Sequence, residues 1–117
     1  MPRSLKEVEI LIIKLEQSLR EAMLWSNSAP SVEAFQSELP FALDTMSFEQ
    51  WLQFIFVPKM FEIVSTKSSL PNHLELLPMA KQSLGATDNQ SELIEVIKQI
   101  DLVFALSQHA AYYYLSR

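Results

Sequence analysis

The chain has 117 residues, of which 49% are hydrophobic and 20% charged, with a net charge of −5 and no cysteine. This is ordinary globular composition, long enough for one core without disulfides or metals. The missing thiols exclude cysteine nucleophiles, zinc fingers and iron–sulfur ligation, and they fit a reducing compartment. With a single glycine, Gly85, the chain has no Gly-rich phosphate loop, and it has no Asn-Gly or Asp-Gly pair to turn a β-hairpin.

The acidic balance argues against a surface built to neutralise a phosphate backbone, so direct nucleic-acid binding is not expected. In the opening residues MPRSLKEVEILIIKLEQ the apolar run Ile10 to Ile13 is flanked closely by Glu7, Glu9, Lys14 and Glu16, which does not make a secretory signal. No uncharged apolar stretch approaches membrane-spanning length. The expectation is a cytoplasmic protein without a membrane partner.

The spacing predicts a first helix over about 4–25. Ser4 and Glu7 form a capping-box pattern. Leu5, Val8, Ile12, Leu15, Leu19 and Ala22 then step by three and four residues, with Leu11 and Met23 widening the face. Glu16 and Arg20 lie one turn apart on the outer surface. From Ser26 to Thr45 the periodicity stops, and Pro30 and Pro40 punctuate a long connection. Phe35, Leu39, Phe41 and Leu43 call for burial, so an ordered loop is expected, with one helical turn capped by Ser31.

A second helix is expected over about 47–67, capped by Ser47 with Gln50 answering. Pro58 interrupts it, predicting a kink near Phe54 to Val57. Glu49, Gln50 and Gln53 lie on one side of the wheel, and Lys59, Glu62 and Thr66 about 150° away. Either the helix bends so that both halves meet one core, or it is sandwiched between partners. A third helix over about 73–84 buries Leu74, Leu77, Ala80 and Leu84, with Pro78 in its first turn and Gly85 at its stop. A fourth, over about 90–114, carries Leu93, Ile97, Ile100, Phe104, Ser107 and Ala111 as its seam, broadened by Val96 and Val103. The fold expected is all-α: a single-domain four-helix bundle with a Pro-kinked second helix and a long ordered loop before it.

Chemistry-bearing patterns are sparse. His73 and His109 lack the helical spacing of a bundle metal centre and read as surface histidines. Glu92 and Glu95 read as an acidic first turn. No serine sits in a nucleophile elbow, so no catalytic constellation, cofactor or metal is expected. Asp44 precedes the cap of the second helix and reads first as a buried structural carboxylate. Its alternative is a partner-binding spot or a small-ligand pocket with Phe41, Thr45, Met46, Trp51, Gln53, Pro58 and Lys59, where tryptophan would be the anchor. Tyr112, Tyr113 and Tyr114 cannot all face one core, which makes them candidates for self-association into a homo-oligomer, set against a frayed terminus.

The central stretch Phe35-x-Ser37-x-x-Pro40-Phe41, Asp44-Thr45-Met46, Glu49-Gln50-Trp51-Leu52-Gln53 and Pro58-Lys59-Met60 resembles the YqcC-like family of small bacterial proteins. Leu70-Pro71 and Lys98-x-x-Asp101-x-x-Phe104 are similar too. Ser47-Phe48 departs from the family's Glu-Pro at the helix start, and the tail beyond Ser107 has no clear counterpart. The resemblance implies a compact helical bundle of unassigned activity, encoded beside a tRNA pseudouridine synthase. It therefore implies a non-catalytic accessory protein that binds the synthase or otherwise serves tRNA modification.

Overall fold

A computed structural model describes residues 5–68, 74–84 and 91–116, with side chains as far as Phe104. Helix α1 spans Leu5–Glu21. Two short 3-10 turns come next, Val32–Gln36 and Pro40–Ala42. The central helix then runs without a break through three pieces: α2 (Phe48–Trp51), a π-helical turn (Leu52–Phe56) and α3 (Val57–Thr66). Helix α4 is Leu77–Leu84 and α5 is Ser91–Ser116. Counting the central helix as one, the described residues form four helices and no strand. The fold is all-α.

The seam expected in α1 is the seam observed. Val8, Ile12, Leu15 and Leu19 are buried against Phe48, Leu52, Phe56, Met60, Ile63, Leu76, Ala80, Leu93, Ile97, Ile100 and Phe104 in one core. Helix α1 packs on α5 and α3, while α4 packs on α5 and α2.

Two expectations about α1 need correction. It stops at Glu21, four residues early, because Met23 enters the left-handed region at φ 61°. The Leu24 amide then donates to the Leu19 carbonyl at 2.9 Å and the Met23 amide to the Arg20 carbonyl at 3.0 Å. That is a Schellman closure in a position usually given to glycine. Met23 does not widen the buried face; it is 88% exposed. Helix α3 ends the same way, with Lys67 at φ 55° and the Ser68 amide donating to the Ile63 carbonyl at 3.0 Å.

The disturbance ahead of Pro58 is a widened turn. The Val57 amide reaches back five residues to the Leu52 carbonyl. Pro58 cannot donate and would crowd the carbonyl of Phe54 in a regular helix, and the wide turn ends directly before it. At about 100° per residue, Phe48, Leu52, Phe56, Val57, Met60 and Ile63 would spread over roughly 180° of an uninterrupted α-helix. One extra residue in a turn rotates the downstream half of the helix back by about 100° and draws them into an arc of roughly 120°. One core thus receives both halves of the helix.

Helix α4 starts at Leu77, later than the expected 73, and the deeply buried leucine is Leu76 just before it, with Leu77 half-buried, a shift of one residue from the expected face. Pro78 sits in the first turn as expected. Ser4, His73, Gly85 and Asn89 lie outside the described residues.

Candidate functional site

The loop between α1 and α2 is fixed at its entry by Gln53, which lies in the π turn and is 6% exposed. The Ser26 amide donates to Gln53 Oε1 at 2.8 Å, and Gln53 Nε2 donates to the Ser26 carbonyl at 2.9 Å. Both ends of a buried amide are satisfied by one backbone residue, which removes the penalty of burying it. Gln53 is therefore internal, and the surface role expected for it is corrected. Just before the clamp, the Arg20 guanidinium lies 4.2 Å from the Trp25 ring centroid while Nε donates to Glu16 at 3.2 Å.

Further along, the loop folds back on itself. Ser31 caps the first 3-10 turn by accepting from the Ala34 amide at 3.3 Å. Thr45 Oγ1 donates to the Ala34 carbonyl at 2.7 Å, and Ser37 Oγ donates to the Asp44 carboxylate. These cross-links lay 31–37 alongside 39–46. Ser47 and Gln50 then close the reciprocal cap of α2, as expected.

Inside and outside are inverted in this loop. Ala34, Ala42 and Met46 form a small inner cluster against Trp51 and Ile55. Val32 is 75% exposed, Phe35 43%, Leu39 52% and Leu43 47%. The expectation that Phe35, Leu39 and Leu43 would be buried is wrong for a local reason. Phe41 (φ 58°) and Ala42 (φ 49°) both take left-handed backbone, which turns Phe41 inward and leaves its large apolar neighbours facing out. Left-handed conformation at non-glycine residues costs about 1–2 kcal/mol each.

What holds that backbone is an aromatic cluster. Phe41 meets Trp51 edge-on at 4.9 Å and Phe48 at 5.8 Å, while Trp51 stacks on Phe48 at 6.0 Å and on Phe56 at 5.6 Å. Such ring pairs contribute about 0.5–1.5 kcal/mol each beyond the area they bury. Trp51 touches both the loop cluster and the main core, so it fastens one to the other.

The candidate residues are thereby separated. Phe41 and Trp51 pack on each other, and Met46 is buried in the loop cluster. Asp44 is exposed and bonded to Ser37, which corrects its reading as a buried carboxylate. Thr45 binds loop carbonyls; Pro58 and Lys59 lie exposed on the far side of the π turn. The side chains of Tyr112, Tyr113, Tyr114 and His109 lie outside the described residues.

One carboxylate whose job the residue pattern does not announce is Asp101. From α5 it accepts from the Leu76 amide at 2.9 Å and from the Leu77 amide at 2.7 Å, capping the start of α4. Burial raises its pKa above the ordinary value, the two amides pull it down, and Glu75 pushes it up further. A carboxylate committed to backbone amides is a structural cap. Among the described residues no group of three or more His, Cys, Asp or Glu could hold a metal, and no helix is long and apolar enough to cross a membrane.

Residues 7–103 match the family described as DUF446, tRNA pseudouridine synthase C. The chain belongs to that family. An uncharacterized protein of Haemophilus influenzae is 35% identical over 81 residues, covering 69% of this chain and 76% of the relative. The uncharacterized protein YqcC of Escherichia coli is 32% identical over 99 residues, covering 84% of this chain and 91% of YqcC. The solution NMR structure of E. coli YqcC matches with a TM-score of 0.74 at 31% identity, over 86% of this chain and 87% of that one. The resemblance to the YqcC-like family is thus borne out in sequence and in fold. A tRNA pseudouridine synthase C of Pectobacterium carotovorum shares a segment 40% identical over 65 residues, 56% of this chain and 17% of the synthase.

Proposed function

We propose that the protein is a non-catalytic accessory module that binds a tRNA pseudouridine synthase in the cytoplasm. The observation that carries this reading is the Pectobacterium synthase, in which a segment related to this chain occupies 17% of a much longer protein. Two modules on one polypeptide meet at a high effective concentration, so their association as separate chains needs only a modest interface to be useful. The site geometry supports the same reading. The aromatic rings of the central helix pack on one another, Asp101 is committed to the α4 amides, and Asp44 accepts from Ser37.

The test is co-purification with a tag on this chain, then assay of each part. Recovery of the synthase in stoichiometric amount, with no pseudouridine formed in tRNA by this chain alone, is the expected result. A chain that forms pseudouridine by itself, or that never recovers the synthase, contradicts the reading.

A further inference from the structure

The folded loop has a charge property that matches its inverted packing. Between Arg20 and Lys59 the chain carries Glu21, Glu33, Glu38, Asp44 and Glu49 and neither a cation nor a histidine. This segment alone accounts for the net charge of −5, leaving the rest of the chain balanced. Glu33, Glu38 and Asp44 are exposed, interleaved with the exposed Val32, Phe35, Leu39 and Leu43. The cross-links from Thr45 to Ala34 and from Ser37 to Asp44 hold the two halves of the loop together, so these exposed side chains belong to one folded segment. The segment exposes apolar side chains interspersed in sequence with an acidic rim of Glu33, Glu38 and Asp44, on backbone held left-handed at Phe41 and Ala42. Its exposed composition, large apolar anchors among charges, is that of an interface.

We infer that this loop face, 32–44, is the docking surface for the synthase, which meets it with an apolar patch edged by lysine and arginine. The inference rests on the accessory reading above and names the surface that reading requires. Charge complementarity selects the occupant. A second copy using the same face would bring two wholly acidic rims together, because a two-fold interface pairs a patch with itself. A bare tRNA would set phosphates against glutamates with no cation to neutralise them. An enzyme that handles RNA carries the basic surface that this rim attracts.

The experiment is titration of the full chain with purified tRNA pseudouridine synthase C of the same cell, at low and high salt. Three double variants are compared: Phe35→Ser with Leu39→Ser, Glu33→Lys with Glu38→Lys, and the control Ile10→Ser with Ile13→Ser on the exposed side of α1. All six positions are solvent-accessible, and thermal melting checks that each variant is folded. The glutamate pair needs no apolar repacking, so it reports even if the serine pair perturbs the loop. Expected are a loss of affinity of about tenfold or more for the loop serine pair, slower and less salt-sensitive association for the lysine pair, and a change within about twofold for the control. If the wild-type chain binds and both loop variants bind equally well, this surface is wrong and the accessory reading survives. If the wild-type chain does not bind the synthase, both fall. Loop-dependent dimers of the chain alone, or loop-dependent retention of tRNA alone, would also overturn the assignment.

Discussion

The bundle and the crossing loop obey opposite rules. In the bundle the fully buried side chains are large and apolar, such as Ile12, Leu15, Leu52 and Ile97, although Ile10, Ile13 and Leu102 face out. In the loop, Ala34 and Ala42 are inside, while Val32, Phe35, Leu39 and Leu43 are out. The bundle is stabilised by burial of apolar area; the loop is held by directional contacts, namely the Gln53 clamp, the Thr45 and Ser37 bonds, and the rings around Trp51. A segment that uses hydrogen bonds and left-handed backbone to show its large side chains to solvent is the surface on which the docking proposal rests.

The largest expected effect comes from breaking the joint between the two regions. Trp51→Ala removes three ring contacts at once and should destabilise the fold by about 3 kcal/mol in urea denaturation, with loop amides exchanging faster. If stability hardly changes, the loop is not fastened through this ring. Next is Gln53→Leu, which leaves the Ser26 amide and carbonyl without their partner and should cost about 2 kcal/mol. The loss should appear first as fraying of 22–30.

Asp101→Ala tests the bundle side, with an expected loss of about 1–2 kcal/mol from the uncapped start of α4. Because burial raises the Asp101 pKa, the folded state binds that proton more tightly than the unfolded state. The stability it contributes is complete below the ordinary value of 3.8 and is lost as pH rises through the raised folded value. Wild type should therefore lose ground to Asp101→Asn over that interval as pH increases, in denaturation at stepped pH. A constant difference would contradict the burial argument.

The smallest effect is a gain. Met23→Gly relieves left-handed strain at a side chain that buries almost nothing, and should raise stability by about 0.5–1 kcal/mol in thermal melts. A loss would mean that the methionine side chain contributes packing of its own.

Most of the bundle could be read from residue spacing. The three- and four-residue steps of α1 and α5 name their buried residues directly, and the Ser47–Gln50 cap marks the start of the central helix. The rest depended on information that spacing does not contain. Nothing in an Ala-Met-Leu run announces a helix stop when methionine takes the position glycine usually fills. Pro58 signals a disturbance but not its type, and Gln53 is enclosed by its bonds to Ser26, a contact that residue spacing does not show. Hydrophobicity ranks Phe35 above Ala34, so pattern alone assigns the wrong one to the inside. Asp101 caps a helix 24 residues upstream, a contact that only the fold creates. The loop's acidic residues were in plain view as composition, but only the fold shows that Val32, Phe35, Leu39 and Leu43 are exposed along with them.

The most direct measurement is hydrogen–deuterium exchange of the full chain with and without the synthase. Added synthase should slow exchange across 32–44 and leave the exposed face of α1 around Ile10 and Ile13 unchanged. Slowing confined to the α1 face or to α5, with the loop exchanging as before, would show that the exposed apolar loop is not where the partner sits.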